Sequence, residues 1–159
     1  MGKHEDAVTL LARRRIEAAM LAEVYAVLVE RFGEGQALSV IEDTVTRAAS
    51  AAGRAFAVSA PDGPCLDHFR SVVELWRRGD ALTIGNVRQE PASLSFDVTC
   101  CRYAESYREM GLPETLATRI SCLRDGAFVA GYSPKLRLAR PATIAGGAGC
   151  CPFTFTWED

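Results

Sequence analysis

Two runs of apolar residues near the start of the chain follow the three- and four-residue steps of a helix. The first run comprises Ile16, Met20, Val24 and Val27. The second run comprises Leu38, Ile41, Val45, Ala48 and Ala52. Gly33 and Gly35 separate the runs, and Gly53 follows the second. The pattern predicts two amphipathic helices that pack as a hairpin, joined by a "GEG" turn, with the second helix ending near Gly53.

A third helix is predicted after the loop-like stretch "APDGPC", in which Pro64 suits a first helical turn. Its apolar positions are Leu66, Phe69, Val73 and Trp76. The stretch "RRGD" then places two cations and a glycine where a helix commonly ends. The N-terminal half is therefore predicted to be mainly helical.

The pattern changes at residue 81, where apolar and polar residues begin to alternate. Strands are predicted for "ALTIGNVRQ", "SLSFDVTC", "KLRLAR" and "CPFTFTW". Two short helices, "CRYAESYREMG" and "PETLATRISC", lie between the second and third strands. The prediction is an α+β fold in one domain, residues 1–159: a helical hairpin and a third helix (1–80) packed on a mostly antiparallel sheet of about four strands, with two short helices in 81–159.

Composition narrows the classes of function. The 159 residues include 20 acidic and 18 basic side chains, which are interspersed, so nucleic-acid binding is not expected. The start of the chain does not resemble a signal peptide, and no apolar run is long enough to span a membrane, so a cytoplasmic location is predicted. The six cysteines are then expected to be reduced thiols. Their adjacent pairing and the presence of only two histidines argue against zinc, and no metal or cofactor is predicted.

The stretch "FDVTCC", residues 96–101, ends in two adjacent thiols where a strand becomes a helix. Alternation places Val98 and Cys100 on the apolar face and Cys101 on the polar face. A helix N-terminus stabilises a thiolate, and Arg102 adds a nearby cation. Cys101 is therefore a candidate nucleophile with a lowered pKa. The alternative is that both thiols are ordinary core side chains.

Two further clusters carry candidate chemistry. In "SCLRDGAF", Arg124 is suited to clamp a carboxylate and Asp125 to act as a general base, although an exposed ion pair in a surface turn would give the same pattern. In "IAGGAGCCPFTFTW", a glycine loop containing Gly147 precedes Cys151, which is in phase with the inward-facing Phe153. This segment predicts either the wall of a ligand site or a plain hairpin.

Together these segments resemble the L-2-amino-thiazoline-4-carboxylic acid hydrolase family over roughly residues 24–157. The stretch "FDVTCCRYAESYREMGLPE" resembles the family's central motif, in which a cysteine precedes Arg-Tyr-Ala-Glu. The stretches "SCLRDGAFVAGYSPKLRLAR" and "GGAGCCPF" resemble its two following blocks. The resemblance implies a hydrolase that opens the C–N-containing ring of a thiazoline-type acid.

The residues assigned from the local patterns and the resemblance fall into two groups. The predicted catalytic residues are Cys101, Asp125 and Cys151. The predicted substrate-binding residues are Arg102, Tyr103, Glu105, Arg124 and Gly147. In this interpretation Cys101 attacks the electrophilic carbon of a small-molecule substrate, Asp125 holds the proton or orients water, and Cys151 is a second thiol at the site.

The chain departs from the family pattern at several polar positions. Leu123 replaces the usual asparagine, Pro141 and Ala142 replace Thr-Gln, Pro152 replaces an acid and Thr154 replaces an arginine. These changes predict a less polar substrate, and a role in natural product biosynthesis is one interpretation. The alternatives are a two-thiol racemase or lyase and a non-catalytic small-molecule-binding module. The apolar face from Ile16 to Val27 is suited either to the core or to a homodimer.

Overall fold

A computed structural model describes residues 8–158. Its helices are α1 (Leu10–Phe32), α2 (Glu34–Val58), α3 (Leu66–Arg77), α4 (Arg102–Glu109), α5 (Glu114–Ile120) and α6 (Cys122–Tyr132), with a 3₁₀ turn at Arg78–Asp80. Its strands are β1 (Leu82–Glu90), β2 (Ser93–Cys101), β3 (Leu136–Ala139) and β4 (Cys151–Trp157). The strands form one antiparallel sheet in the order β1-β2-β4-β3. The predicted α+β class and its four strands are confirmed.

The predicted helical hairpin forms, but Gly33 alone separates its helices, and Glu34 and Gly35 of the expected "GEG" turn belong to α2. Local interactions stabilise both ends of α1. The hydroxyl of Thr9 accepts a hydrogen bond from the backbone N–H of Ala12 at 3.1 Å, which caps the helix start. Gly33 ends the helix with a φ of 82°, and its N–H donates to the carbonyl of Val29 at 2.9 Å.

No helix in residues 8–158 is long and apolar enough to cross a membrane.

Helices α2 and α6 pack against each other with their backbones in close approach. A Cβ at Gly53 would lie 2.1 Å from the carbonyl oxygen of Phe128, and one at Gly131 would lie 2.2 Å from that of Ser50. The prediction that α2 ends near Gly53 is therefore wrong, because this glycine is a contact point inside a helix that continues to Val58.

Helix α6 was missing from the predicted fold, which had two short helices after residue 80. Its residues "CLRDGAFVAGY" include Gly126 and Gly131, and glycine lowers helix propensity by about 1 kcal/mol relative to alanine. The interpretation of "RDG" as a surface turn is consequently wrong. Arg124 and Asp125 lie in the first turns of a helix packed against α2.

Helix α1 packs through a different face from the expected one. Ile16 and Met20 each retain 67 % of their accessible surface, whereas Ala18 is buried and Leu21 and Tyr25 pack against the adjacent core cluster. The helix is apolar on two sides, and the sequence pattern alone does not tell which side is covered. That the outward face serves a homodimer stays a prediction.

Two groups of buried side chains make up the core. One lies between the sheet and helices α3 and α6, and includes Phe69, Phe96 and Phe155. The other joins α1, α2, α4 and α5, and includes Ile41 and Tyr107. The cavity described next is lined by side chains from both groups.

Candidate functional site

A cavity of about 480 Å³ opens between the helices and the sheet. Most of its wall is apolar and comes from α2, α3, α6 and the sheet. These lining residues include Phe56, Val72, Trp76, Leu82, Val98, Phe128 and Phe153. Thiol, carboxylate and guanidinium groups complete the wall, so the cavity combines an apolar interior with a small number of reactive groups, as ligand sites in proteins commonly do.

An irregularity in β2 directs Cys101 into this cavity. Thr83 is paired with Cys100, but the next residue of β1, Ile84, is paired with Val98, so Thr99 is an extra residue in β2. Such a bulge changes the phase of the side chains that follow it. Cys101 therefore lines the cavity.

The same bulge turns Cys100 away from the cavity. Its thiol donates to a carboxylate oxygen of Glu105 at 3.4 Å. The prediction that Cys100 is the inward thiol and Cys101 the outward one is wrong, because strict alternation does not continue through a bulge.

Three thiols from separate elements line the cavity, namely Cys101 at the end of β2, Cys122 at the start of α6 and Cys151 at the start of β4. All are free cysteines. The sulfur of Cys151 accepts a hydrogen bond from the backbone N–H of Ile144 at 3.0 Å. Within residues 8–158, no group of three cysteine, histidine or acidic side chains is arranged to hold a metal ion.

Asp125 and Arg140 form an ion pair in the cavity wall. The same guanidinium donates to the carbonyl of Cys122 at 2.6 Å and lies over the ring of Phe153, 5.1 Å from the ring centroid. The two side chains are mostly covered, with exposed fractions of 27 % for Asp125 and 13 % for Arg140. The exposed ion pair considered from the sequence is therefore replaced by a largely buried one.

Arg124 has protein partners of its own. Its guanidinium donates to the carbonyl of Ile120 at 2.9 Å and to the carboxylate of Glu17 at 3.0 Å. Arg14 binds the same carboxylate oxygen at 2.6 Å. Glu17 thus joins α1 to α6 beside the cavity, and the guanidinium of Arg124 is already bound to two protein acceptors.

Burial controls the protonation of the thiols. It raises the pKa of Cys101 to about 11, and the backbone amides of Ala104 and Tyr103 oppose this only in part. The expectation of a Cys101 thiolate near neutral pH is therefore wrong, because loss of solvation outweighs the effect of the helix N-terminus.

Burial also shifts the pKa values of the other titratable groups in the cavity wall. Burial raises the pKa of Cys122 and of Cys151, while Arg140 opposes both increases. Burial also raises the pKa of Asp125, against the effect of Arg140. A carboxyl with a raised pKa is closer in basicity to a thiol, which makes proton transfer between them less costly.

The structure brings five of the eight predicted site residues to the cavity. These are Cys101, Tyr103, Arg124, Asp125 and Cys151. The other three lie outside the cavity lining. Arg102 and Glu105 are exposed on α4, and Gly147, with a φ of 93°, lies in the loop before β4 beside a separate surface depression.

Sequence reasoning missed several residues of the wall, above all Arg140 and Cys122. Arg140 was visible as the last residue of a predicted strand, and Cys122 as part of a cysteine-rich motif. Neither position indicates a partner, because Arg140 meets Asp125 only when the end of β3 is placed beside α6.

The raised pKa of Cys101 predicts a loss of stability at alkaline pH. The unfolded chain releases this proton near its ordinary pKa of 9.0 and the folded chain near 11, so folding is favoured below pH 9 and this contribution is lost between pH 9 and 11. The loss is up to roughly 3 kcal/mol. Urea unfolding of the wild type and of Cys101→Ser across this range measures it. If the free energy of unfolding falls equally with pH in the two proteins, the burial of the Cys101 thiol is contradicted.

The chain belongs to the L-2-amino-thiazoline-4-carboxylic acid hydrolase family, whose sequence profile matches residues 13–155. The resemblance seen in the motifs is thereby confirmed. No curated protein matches the sequence. Among solved structures, the fold is similar to the phenol-responsive sensory domain of the transcription activator PoxR, determined with phenol. The TM-score is 0.51 at 11 % identity, over 94 % of this chain and 76 % of that one. This likeness concerns the fold alone.

Proposed function

We propose that the protein is a thiol-dependent hydrolase that opens a C–N bond in the ring of a small cyclic amidine or lactam. One observation carries this proposal: Cys101, Cys151 and Asp125 line one cavity, although they come from β2, β4 and α6. A nucleophile near a group able to accept its proton is what covalent hydrolysis requires. Membership of a hydrolase family supports the same class of reaction.

Cys151 is better suited than Cys101 to be the nucleophile. The N–H of Ile144 donates to its sulfur, and the positive charge of Arg140 opposes the rise of its pKa. The negative charge of Asp125 acts on the same thiol. A nearby carboxylate disfavours a standing thiolate but is able to accept the thiol proton at the moment of attack.

Cys101 is suited to the opposite role. With a pKa of about 11, its thiol keeps its proton throughout the neutral range. A protonated group facing the substrate is able to donate to a leaving nitrogen. Two thiols in one site with different surroundings thus divide into a nucleophile and an acid, as paired groups in other enzymes do.

Arg140 adds a positive charge to this arrangement. Two of its nitrogens bind Asp125 and the Cys122 carbonyl, and its side chain lines the cavity. Negative charge that develops on the substrate during attack would be stabilised by this charge.

The proposed reaction proceeds in two stages. Cys151 forms a bond to the ring carbon while its proton passes to Asp125, and the ring C–N bond then breaks as the nitrogen takes the proton of Cys101. Water next attacks the sulfur-bound carbon and frees Cys151 as a thiol, and the proton held by Asp125 restores Cys101. The net change is the addition of one water molecule to the substrate.

Mass spectrometry of reactions with cyclic amidine and lactam acids tests this function. The panel includes L-2-amino-thiazoline-4-carboxylic acid and ring-substituted aryl analogues. The wild type is expected to convert a panel member to a product heavier by one water, and the double variant Cys101→Ala/Cys151→Ala to convert none. Undiminished turnover by the double variant would overturn the proposal.

A non-catalytic binding module is the second candidate, favoured by the protonated thiols and the apolar wall. The similarity of the fold to a phenol-responsive sensory domain is consistent with it. The same panel separates the two functions. A module would bind panel members with no product formed by the wild type, and the hydrolase proposal would then fail.

A further inference from the structure

Most of the exposed residues in the cavity lining come from the start of α1 and the end of α3, and we call this part of the lining the mouth. Val8, Thr9 and Arg13 belong to the first segment. Leu75 and Arg78 belong to the second. The mouth therefore carries two arginine side chains from separate elements.

Positive charge predominates around the cavity. The arginines in its lining are Arg13, Arg14, Arg78, Arg124 and Arg140. Asp125 is the acidic residue in that lining, and it is paired with Arg140. Glu17 serves both Arg14 and Arg124.

The two arginines of the mouth differ from the inner ones. In the part of the chain from 8 to 158, neither Arg13 nor Arg78 forms an ion pair with a carboxylate. Two cations without a carboxylate partner among the described residues, at the exposed part of an apolar cavity, attract anions and disfavour cationic ligands. A guanidinium also matches the geometry of a carboxylate or sulfonate group.

Aromatic rings form part of the cavity wall. The ring of Phe128 lies 5.8 Å from that of Phe56 and 5.9 Å from that of Trp76, measured between centroids. These rings come from α2, α3 and α6. Tyr103 links this wall to the thiols, because it follows Cys101 and its hydroxyl donates to the carbonyl of Trp76 at 3.0 Å. Aromatic ligands gain stacking as well as burial in such surroundings.

The cavity volume also bears on the ligand. About 480 Å³ lies within the range of roughly 300–1,000 Å³ found for drug-sized ligands. The compound in the family's name is a single five-membered ring with short substituents, which would leave much of the aromatic wall without contacts.

We propose that the ligand of this cavity is an aromatic anion larger than a single small ring. Its aromatic part lies against Phe56, Trp76 and Phe128, and its acid group lies between Arg13 and Arg78. This inference names the substrate class of the proposed hydrolase. It rests on the proposed function only in that the ligand is taken to be the substrate. Arg124, predicted from the sequence as the carboxylate clamp, is replaced in that role by the two arginines of the mouth.

Calorimetric titration with 2-naphthoate and with its uncharged analogue 2-naphthamide tests the inference. The wild type is expected to bind the anion at least fivefold more tightly, because the two probes share the aromatic part and differ in charge. In Arg13→Gln/Arg78→Gln this preference is expected to disappear. The matched control Arg47→Gln/Arg88→Gln removes the same net charge from exposed sites outside the lining and is expected to keep it.

Each result decides a separate point. Equal loss of the preference in both double variants would show a general charge effect and overturn the proposed site. Equal or tighter binding of 2-naphthamide by the wild type would overturn the anion. Failure of both probes to bind, with turnover of L-2-amino-thiazoline-4-carboxylic acid intact, would overturn the aromatic class and leave the hydrolase proposal standing. If no panel member is turned over but 2-naphthoate binds as expected, the hydrolase proposal fails and the aromatic anion stands.

Discussion

Replacing Gly53 with alanine is expected to remove most of the stability of the fold. The new Cβ would lie 2.1 Å from the carbonyl oxygen of Phe128 and 2.8 Å from the backbone nitrogen of Tyr132. Both neighbours are backbone atoms of α6, so the clash cannot be relieved by rotating a side chain. The two helices would have to separate along their contact, and overpacking of this kind exceeds the usual cost of about 1–3 kcal/mol. Native domains are stable by only about 5–15 kcal/mol in total.

Urea unfolding followed by circular dichroism measures the effect, with Gly131→Ala as the reciprocal change on α6. Gly35→Ala is the matched control, because Gly35 lies in the first turn of the same helix α2 and a Cβ there meets no atom within 4 Å. The control is expected to be neutral or to stabilise by up to about 1 kcal/mol. If Gly53→Ala unfolds at the same urea concentration as Gly35→Ala, the close approach of α2 and α6 is wrong.

Replacing Cys151 with alanine is expected to reduce turnover at least a thousandfold while the fold and the affinity for 2-naphthoate remain. The physical reason is that the variant retains the aromatic wall and the arginines of the mouth but lacks the sulfur that accepts from the Ile144 amide and interacts with both Asp125 and Arg140. Cys101→Ala is expected to cost about 10²–10⁴-fold, the usual contribution of a general acid. Both values come from single-turnover rates on whichever panel substrate the wild type converts.

Cys150→Ala is the control for this pair, because Cys150 is the adjacent thiol and lies outside the cavity lining. It is expected to turn over at the wild-type rate. Full activity of Cys151→Ala together with complete loss in Cys101→Ala would exchange the two roles. Full activity of both single variants would exclude a mechanism that depends on either thiol.

The two ends of β2 show where the local sequence pattern predicts side-chain orientation correctly and where it does not. Leu94, Phe96 and Val98 alternate inward as the sequence predicts, and all three are buried. Beyond Val98 the extra residue Thr99 reverses the expected orientation of the two cysteines. The residues "VTCC" do not predict a bulge, because a bulge is defined by the pairing of β2 with β1 and not by the sequence of β2 alone.

Helix α1 shows a similar limit. Its apolar residues have the correct period, but the helix has two apolar sides and the face from Ile16 to Val27 points outward. Period predicts that a helix forms, whereas the shape of its neighbours selects the face that is covered.

Taken alone, the sequence determined the order of helices and strands apart from α6, the α+β class, the family and the segments that carry thiols and charges. These properties depend on spacing and residue type within short stretches of chain. The tertiary structure decided which thiol enters the cavity, that Asp125 is paired with Arg140, that Cys101 is protonated, and that Arg13 and Arg78 line the same cavity. Those properties depend on burial and on contacts between residues far apart in the chain, and a local pattern contains neither.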